Sequence, residues 1–179
     1  MKLLQLLPIG ELPDGFLREL ASPLANIFRV PCEVLSRGID PRFALHAERQ
    51  QYHSSEILGR MQSCVRPDSW RVLGVTMVDL YIPILTFVFG EAQMGGPCAV
   101  LSAHRLRQEF YGLPTDPDLL HERLRKEAVH ELGHTLELTH CDDYGCAMAP
   151  SHAVEWIDLK QSALCPSCHE RALGAVSKS

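Results

Sequence analysis

Three histidines and a glutamate lie close together in the segment HELGHTLELTH, which spans positions 130–140. His130 and His134 are four residues apart, so on a helix they lie on one face and their imidazole nitrogens can bind the same ion. Glu131 is the next residue round and can reach a water on that ion without binding the ion itself. This is the H-E-x-x-H arrangement, in which zinc activates a water and the glutamate takes its proton. The segment therefore predicts metal-assisted hydrolysis.

His140 decides which kind of zinc site the segment can form. It lies six residues after His134, and on a continuing helix it would be about 9 Å further along the axis. The chain must therefore leave the helix between these two residues if His140 is to reach the same ion. Three histidine ligands would leave the fourth position for water, which is the open coordination of catalytic zinc.

Four cysteines follow the histidines in two pairs. Cys141 and Cys146 are separated by four residues, and after eighteen more residues come Cys165 and Cys168 in the segment CPSC. Two pairs at this spacing can supply four thiolates to a tetrahedral structural zinc. Two disulfides, or a redox-active C-x-x-C pair, are the alternatives.

Taken together, these motifs resemble those of known zinc peptidases. The H-E-x-x-H motif, the histidine six residues on and the downstream Met148 are similar to those of the metzincin metallopeptidases. The series His140-Cys141, Cys146, Met148 and then CPSC resembles the archaemetzincin family. The resemblance implies a zinc metallopeptidase with two zinc ions per chain, a catalytic one on the histidines and a structural one on the cysteines. It also implies that Met148 lies beneath the histidines as an apolar floor.

Glu137 departs from the wider metzincin pattern, which has glycine at that position. Glycine serves there because the turn needs a conformation that, if left-handed, costs a residue with a Cβ about 1–2 kcal/mol. Either Glu137 adopts that conformation, or this turn has a different geometry. Since Cys141 directly follows His140, we expect the structural zinc to restrain the backbone that brings His140 to the catalytic ion.

The residues before the motif predict the helix that must carry it. Asp116 can cap this helix, and Pro117 falls at the first helical position, where its missing N–H costs nothing. The two motif histidines fall about halfway round the helix from an apolar ridge, so one face packs and the other can face a cleft. The ridge recurs every four residues and consists of Leu120, Leu124, Ala128, Leu132 and Leu136.

The rest of the chain alternates between strand and helix patterns. Strands are predicted at 2–8 and 28–35, a helix at 15–28 and a long amphipathic helix at 44–65. Pro83 divides the apolar run 71–93 into a buried strand and an edge strand, and a Gly/Pro turn then leads into another strand. This order predicts an α/β (α+β) fold, with a twisted mixed sheet and two long helices, the second of which carries the histidines. The segment LTFVFGEA is the candidate edge strand above the cleft, where an extended peptide can bind by strand addition.

Length and composition limit the domain organisation and the partners. The 179 residues fit one domain, with an N-terminal part at 1–138 and a small zinc-held C-terminal part at 139–179. A net charge of −5 and the lack of a dense basic run argue against binding to nucleic acid. No membrane-spanning stretch or secretory signal is visible, which predicts a cytoplasmic protein that does not bind membranes. We expect a monomer that acts on a peptide or protein substrate.

Some assignments stay open in the sequence. Tyr111 and Tyr144 are candidates for stabilising an oxyanion, and nothing in the sequence favours either. Asp142 and Asp143 fit a solvated loop better than contacts to metal ligands. The isolated cysteines, and the histidines that lack partner spacing, His152 among them, are interpreted as structural or surface residues. The competing function is a two-zinc binding or scaffold module that cleaves nothing, because a fold and a motif do not guarantee turnover.

Overall fold

The computed structural model describes residues 2–176 of the chain. Its strands are β1 (Leu3–Ile9), β2 (Cys32–Val34), β3 (Leu45–His46), β4 (Gln51–His53), β5 (Ser69–Thr76), β6 (Leu80–Tyr81), β7 (Gly90–Ala92) and β8 (Cys98–Ser102). Five strands form the main sheet in the order β2-β1-β5-β8-β7. All neighbours in this sheet are parallel except β7, which runs antiparallel to β8. Strands β3, β4 and β6 form a second, smaller sheet.

Within residues 2–176, five α-helices surround the main sheet or follow it. They are α1 (Phe16–Phe28), α2 (Ser54–Met61), α3 (Pro117–Thr135), α4 (Val154–Leu159) and α5 (Pro166–Val176). The two longest are α1 with 13 residues and α3 with 19. The predicted mixed sheet with a long histidine-bearing helix is confirmed, and the other long helix is α1 rather than the one predicted at 44–65.

Alternation along the strands builds a core on each face of the main sheet. In β1, Leu4 and Leu6 pack with residues of α1 and α3, whereas Leu7 and Ile9 point to the other face and pack with residues of α2. Successive side chains of a strand point to opposite faces, so a strand covered on both faces reads as a nearly continuous apolar run. The face that carries α1 and α3 is the one that positions the histidine motif.

The predicted long helix at 44–65 is wrong over its first half. Leu45 and Tyr52 pair across the antiparallel strands β3 and β4, and Gln50 between them has a left-handed φ of 53°. Strand β4 also pairs with β6, and the Gln51 amide donates a hydrogen bond to Asp79 at 2.9 Å. These distant partners outweigh the local helical spacing, and helix α2 begins only at Ser54.

The apolar run at 71–93 divides as predicted into a buried strand and an edge strand. Strand β5 is buried at the centre of the main sheet, while β7 lies at its edge. The edge strand is shorter than the segment LTFVFGEA, because the chain before Gly90 forms a turn and a single bridge between Val88 and Leu80. The two-residue strand β6, which belongs to the smaller sheet, was not predicted.

None of the helices described within residues 2–176 combines the length and the apolar character needed to cross a membrane.

Candidate metal centre and cleft

Helix α3 begins where the capping residues predict. The Asp116 side chain accepts a hydrogen bond from the Leu119 N–H at 2.9 Å, and Pro117 is the first helical residue. Leu124, Ala128 and Leu132 are buried in the core. The opposite side of the helix is nearly as enclosed, since His130 is only 6% exposed. His130 nevertheless lines a cleft.

Glu137 ends the helix in the left-handed conformation, with φ of 62°. The Leu138 N–H donates to the Gly133 carbonyl at 3.1 Å, and the Glu137 N–H donates to the His134 carbonyl at 3.0 Å. This pair of bonds is the Schellman capping motif, in which glycine normally holds the left-handed position. Of the two alternatives for this turn, the structure shows the one in which Glu137 adopts the glycine conformation.

The capping turn also orients His134, a candidate metal ligand. By reversing the chain, the turn brings the Leu138 carbonyl to 2.8 Å from His134 Nδ1. His130 has a similar partner from a later segment, since the Ala147 carbonyl lies 2.9 Å from His130 Nδ1. A carbonyl only accepts hydrogen bonds, so each Nδ1 carries the proton and donates it. Each Nε2 is left with a free lone pair, which is the form of histidine that binds a metal.

The three histidines converge on one point. His130 Nε2 and His134 Nε2 are 3.1 Å apart, close to the roughly 3.3 Å expected between two nitrogens on one tetrahedral zinc. The His140 ring centroid lies 5.3 Å from that of His130 and 5.1 Å from that of His134. One ligand atom from each of the three lies within 4.8 Å of the others. This donor set fits a zinc ion with three nitrogen ligands and an open position.

Burial sets the charge state of these groups. Burial is the largest cause of the lowered pKa of all three histidines, and the nearby Lys160 charge lowers each pKa further. The neutral imidazole, which is the ligand form, is therefore favoured. Burial also raises the pKa of Glu131 well above its usual range, and the neighbouring Glu127 adds to this effect. A cation bound at the histidines would act in the opposite direction and favour the Glu131 carboxylate.

The four cysteines form a second cluster beside the histidines. Cys141 Sγ and Cys165 Sγ are 3.8 Å apart, which matches the roughly 3.8 Å between two sulfurs on a tetrahedral zinc. Cys146 Sγ accepts hydrogen bonds from the backbone N–H groups of Met148 and Cys165, at 3.4 and 3.3 Å. One sulfur from each cysteine, including Cys168, lies within 4.8 Å of the others, and all four thiols are free. The cluster fits a closed four-sulfur metal site.

Met148 lies where the two clusters meet. Its carbonyl accepts a hydrogen bond from the Cys141 N–H at 3.0 Å, and Cys141 is the neighbour of His140 in sequence. Its side chain packs against Gly133 of helix α3 so closely that a Cβ at position 133 would overlap Met148 Sδ. Met148 is fully buried beneath the histidine-bearing end of the helix.

A cleft of about 540 Å³ opens above the histidines. The segment that leads into β7 and β7 itself form one wall, Pro150 to His152 form the other, and α3 provides the base. Gly90 lies directly against Glu131, because a Cβ at position 90 would come within 2.7 Å of Glu131 Cγ and Oε1. The glutamate therefore reaches the cleft only because residue 90 has no side chain.

The main chain of the edge strand faces this cleft. Ser102 N–H donates to the Phe89 carbonyl at 2.8 Å, and Gln93 N–H donates to the Cys98 carbonyl at 3.0 Å. In an antiparallel ladder, alternate residues bond to the partner strand. The backbone groups of Gly90 and Ala92 consequently point away from β8 and are free for an added strand.

The open candidates from the sequence do not reach the cleft. Tyr111 donates its hydroxyl to the Arg105 carbonyl at 2.9 Å, and Tyr144 is 64% exposed beside Trp156. Neither tyrosine lines the cleft within the described residues. Asp143 accepts a hydrogen bond from Gly145 N–H at 2.9 Å in an exposed turn, as expected of a solvated loop.

Sequence patterns missed a buried ion pair behind the histidines. Lys160 Nζ lies 2.7 Å from Glu127 Oε1, with both side chains almost fully enclosed. The same ammonium donates to the Ala149 carbonyl at 3.2 Å. Nothing in the sequence pointed to this lysine, which is 33 residues from Glu127. Gly90 did give a signal, since a glycine inside a strand pattern often marks a close approach.

Comparison with known sequences agrees with a peptidase site of this geometry. Residues 19–173 match the sequence profile of peptidase family M54. The chain belongs to peptidase family M54. This membership confirms the prediction, made from the histidine and cysteine motifs, of a metallopeptidase related to the archaemetzincins.

Relatives within family M54 are similar over most of their length. An archaemetzincin from Methanocaldococcus jannaschii is 40% identical over 161 residues, which cover 90% of this chain and 87% of the relative. The crystal structure of a zinc-dependent peptidase from Methanocorpusculum labreanum is 30% identical, with a TM-score of 0.85, and the match covers 94% of this chain and 99% of that one. An archaemetzincin structure from Methanopyrus kandleri is 32% identical, also with a TM-score of 0.85, over 98% and 96% of the two chains. The predicted α/β fold class is confirmed by these structures.

Proposed function

We propose that this M54 protein hydrolyses peptide bonds with zinc held by His130, His134 and His140 and with Glu131 as general base. The observation that carries the proposal is the 3.1 Å separation of His130 Nε2 and His134 Nε2. Both nitrogens are freed for a metal because their Nδ1 partners donate to backbone carbonyls. Glu131 lies between this pair and the edge strand.

Zinc, when bound, supplies a water of lowered pKa and polarises the carbonyl of the scissile bond. Glu131 accepts a proton from the attacking water on its carboxylate as the water oxygen adds to the carbonyl carbon. The same carboxyl group then gives that proton to the leaving nitrogen as the C–N bond breaks. Gly90 leaves room for this carboxylate, and the enclosure of Glu131 keeps bulk water away from it.

The second zinc of the proposal is structural and is held by Cys141, Cys146, Cys165 and Cys168. The 3.8 Å between two of the sulfurs and the N–H donors to Cys146 support it. Zinc thiolates fill all four positions of a tetrahedral site, so substrate has no place there. Free clustered thiols also suit a reducing compartment, so we propose a cytoplasmic location.

The substrate of the proposal is an extended peptide added to the edge of the main sheet. The free backbone groups of Gly90 and Ala92 would pair with it, antiparallel or parallel to β7. This placement would bring a scissile bond above His130 and Glu131, because Gly90 contacts Glu131 directly.

The test is cleavage of an unbiased peptide library by protein verified to hold two zinc ions. Glu131→Gln is run beside it, because glutamine keeps the shape of the side chain but cannot accept the proton. Glu48→Gln, at an exposed position outside the cleft, is the matched control. We expect cleavage by the wild type and the control, and a loss of at least about a hundredfold in Glu131→Gln with zinc retained. Silence of the fully loaded wild type would instead favour the two-zinc binding module.

A further inference from the structure

The proposed reaction places negative charge on the oxygen of the substrate carbonyl, and hydrogen-bond donors near that oxygen would stabilise it. Apart from the metal-site histidines, three side chains with a donor line the described cleft: Thr86, Ser151 and His152. Both tyrosines considered from the sequence lie elsewhere. The donor must therefore be sought among these three side chains or in the backbone.

Two of the three are poorly placed. Thr86 lies where the cleft meets a second cavity beside Arg49 and Asp79, and its carbonyl is held by Arg49 at 3.0 Å. Ser151 Oγ is buried away from solvent and lies beside the Glu127 carboxylate rather than at the opening of the cleft. The Ser151 hydroxyl thus faces Glu127, and Thr86 lies at the border between the two cavities.

His152 is exposed and lines the same cleft as His130, Glu131 and His140. It ends the short segment that begins at Met148, and Lys160 fixes this segment by donating to the Ala149 carbonyl. This wall of the cleft is therefore anchored to the same elements as the histidine cluster.

Aromatic neighbours support the outer side of the His152 ring. The ring lies edge-on to Trp156, with centroids 6.1 Å apart and an interplanar angle of 77°. Trp156 in turn contacts Tyr144, with centroids 5.9 Å apart. Trp156 thus gives the exposed His152 ring a packing partner within the chain.

We propose that His152 is a further catalytic residue, which donates a hydrogen bond to the carbonyl oxygen of the scissile bond; this rests on the peptidase function proposed above. As the water oxygen bonds to the carbonyl carbon, the electron pair of the C=O double bond moves to that oxygen, and the His152 N–H stabilises it. This electron pair re-forms the C=O double bond when the C–N bond breaks and the leaving nitrogen takes its proton from Glu131. Both the neutral and the charged imidazole carry at least one N–H, so the role does not depend on one protonation state.

The test compares His152→Leu, which removes the donor, with His152→Gln, which keeps an N–H. His46→Leu is the matched control, since His46 is exposed and does not line the cleft. For His152→Leu we expect kcat to fall by about a hundredfold, as for the loss of one oxyanion donor, with KM and zinc content nearly unchanged. His152→Gln should recover a large part of kcat. Unchanged kcat in His152→Leu, or a fall matched by zinc loss, would overturn the proposal.

A binding measurement separates this proposal from the peptidase function. An N-acetylated tetra-alanine phosphinic peptide carries a charged oxygen where the tetrahedral carbonyl oxygen would be. Its affinity for zinc-loaded His152→Leu should fall by about the same factor as kcat, while His46→Leu binds it like the wild type. If the wild type binds the phosphinic peptide but cleaves no library peptide, the proposed peptidase function fails. The difference in affinity between the wild type and His152→Leu then still shows whether His152 donates a hydrogen bond to the charged oxygen. Equal affinity of wild type and His152→Leu, or no binding by either, would refute it.

Discussion

Gly90 and Glu131 are in direct contact across the cleft, and a Cβ at position 90 would lie 2.7 Å from both Cγ and Oε1 of the glutamate. The edge strand and the active-site helix therefore share a boundary that leaves no room for a methyl group. The second obstacle at this position is the Val100 carbonyl, also 2.7 Å from the added carbon. A larger residue would have to displace the carboxylate, because the backbone of β8 cannot move easily.

Gly90→Ala should therefore lower peptidase activity without removing zinc. Shifting a general base by about 1 Å can cost on the order of a hundredfold in rate. The atoms nearest the added carbon belong to Glu131 and Val100 rather than to the histidines. The measurement is kcat together with zinc content. Gly59→Ala is the matched control, because nothing lies within 4 Å of the added carbon on helix α2. Wild-type activity of Gly90→Ala would show that Glu131 has more freedom than the structure indicates.

Glu137→Gly should stabilise the protein. The left-handed conformation costs a residue with a Cβ about 1–2 kcal/mol, and glycine gives back roughly half of that in chain entropy. We therefore expect the free energy of unfolding to rise by about 0.5–1 kcal/mol, measured by urea denaturation of the zinc-loaded protein. Glu137→Val should have the opposite effect. The Glu137 side chain lies beside Gly95, and the loss of this contact in Glu137→Gly opposes the gain in stability. A lower free energy of unfolding in Glu137→Gly would show that the contact outweighs the backbone strain.

Lys160→Met should destabilise the protein strongly. It would leave the Glu127 carboxylate, which is 2% exposed, without its cation, and breaking a buried pair costs about 3–5 kcal/mol. Burial already raises the pKa of Glu127, against the effect of Lys160. The double variant Lys160→Met/Glu127→Gln should be less destabilised than the single one in urea titrations. If the losses in free energy of unfolding caused by Lys160→Met and Glu127→Gln simply added in the double variant, the two side chains would not stabilise each other.

Replacing Cys165 and Cys168 by serine should release zinc from both clusters. The Cys141 N–H bond to the Met148 carbonyl and the adjacency of Cys141 to His140 connect the two sites. We expect native mass spectrometry to show less than one zinc per chain in the double variant. The control is Cys64→Ser, at an isolated cysteine outside both clusters. One fully retained zinc in the double variant would show that the histidine site holds its ion independently.

Local signals predicted the parts of the fold that depend on neighbours in sequence. The start of α3 followed from Asp116 and Pro117, and the edge position of β7 from the interruption at Pro83. The helical spacing at 44–65 failed because Tyr52 pairs with strands distant in sequence. For the same reason Lys160 could not be recognised, since its partner Glu127 is distant in sequence and meets it only when α4 packs beside α3. The candidate metal ligands were visible because their spacing in the sequence is itself typical of zinc sites.

Three consecutive carbonyls, those of Ala147, Met148 and Ala149, each accept a hydrogen bond from a different part of the chain. The donors are His130, Cys141 and Lys160, so the segment connects residues that are synthesised well apart. During translation, helix α3 emerges before the segment that sets the His130 tautomer. A nascent chain that ends before Lys160 therefore has the three histidines and the Ala147 carbonyl, but not the hydrogen bond from Lys160 to the Ala149 carbonyl. The three contacts therefore become possible in the order of synthesis, and the one that Lys160 makes comes last.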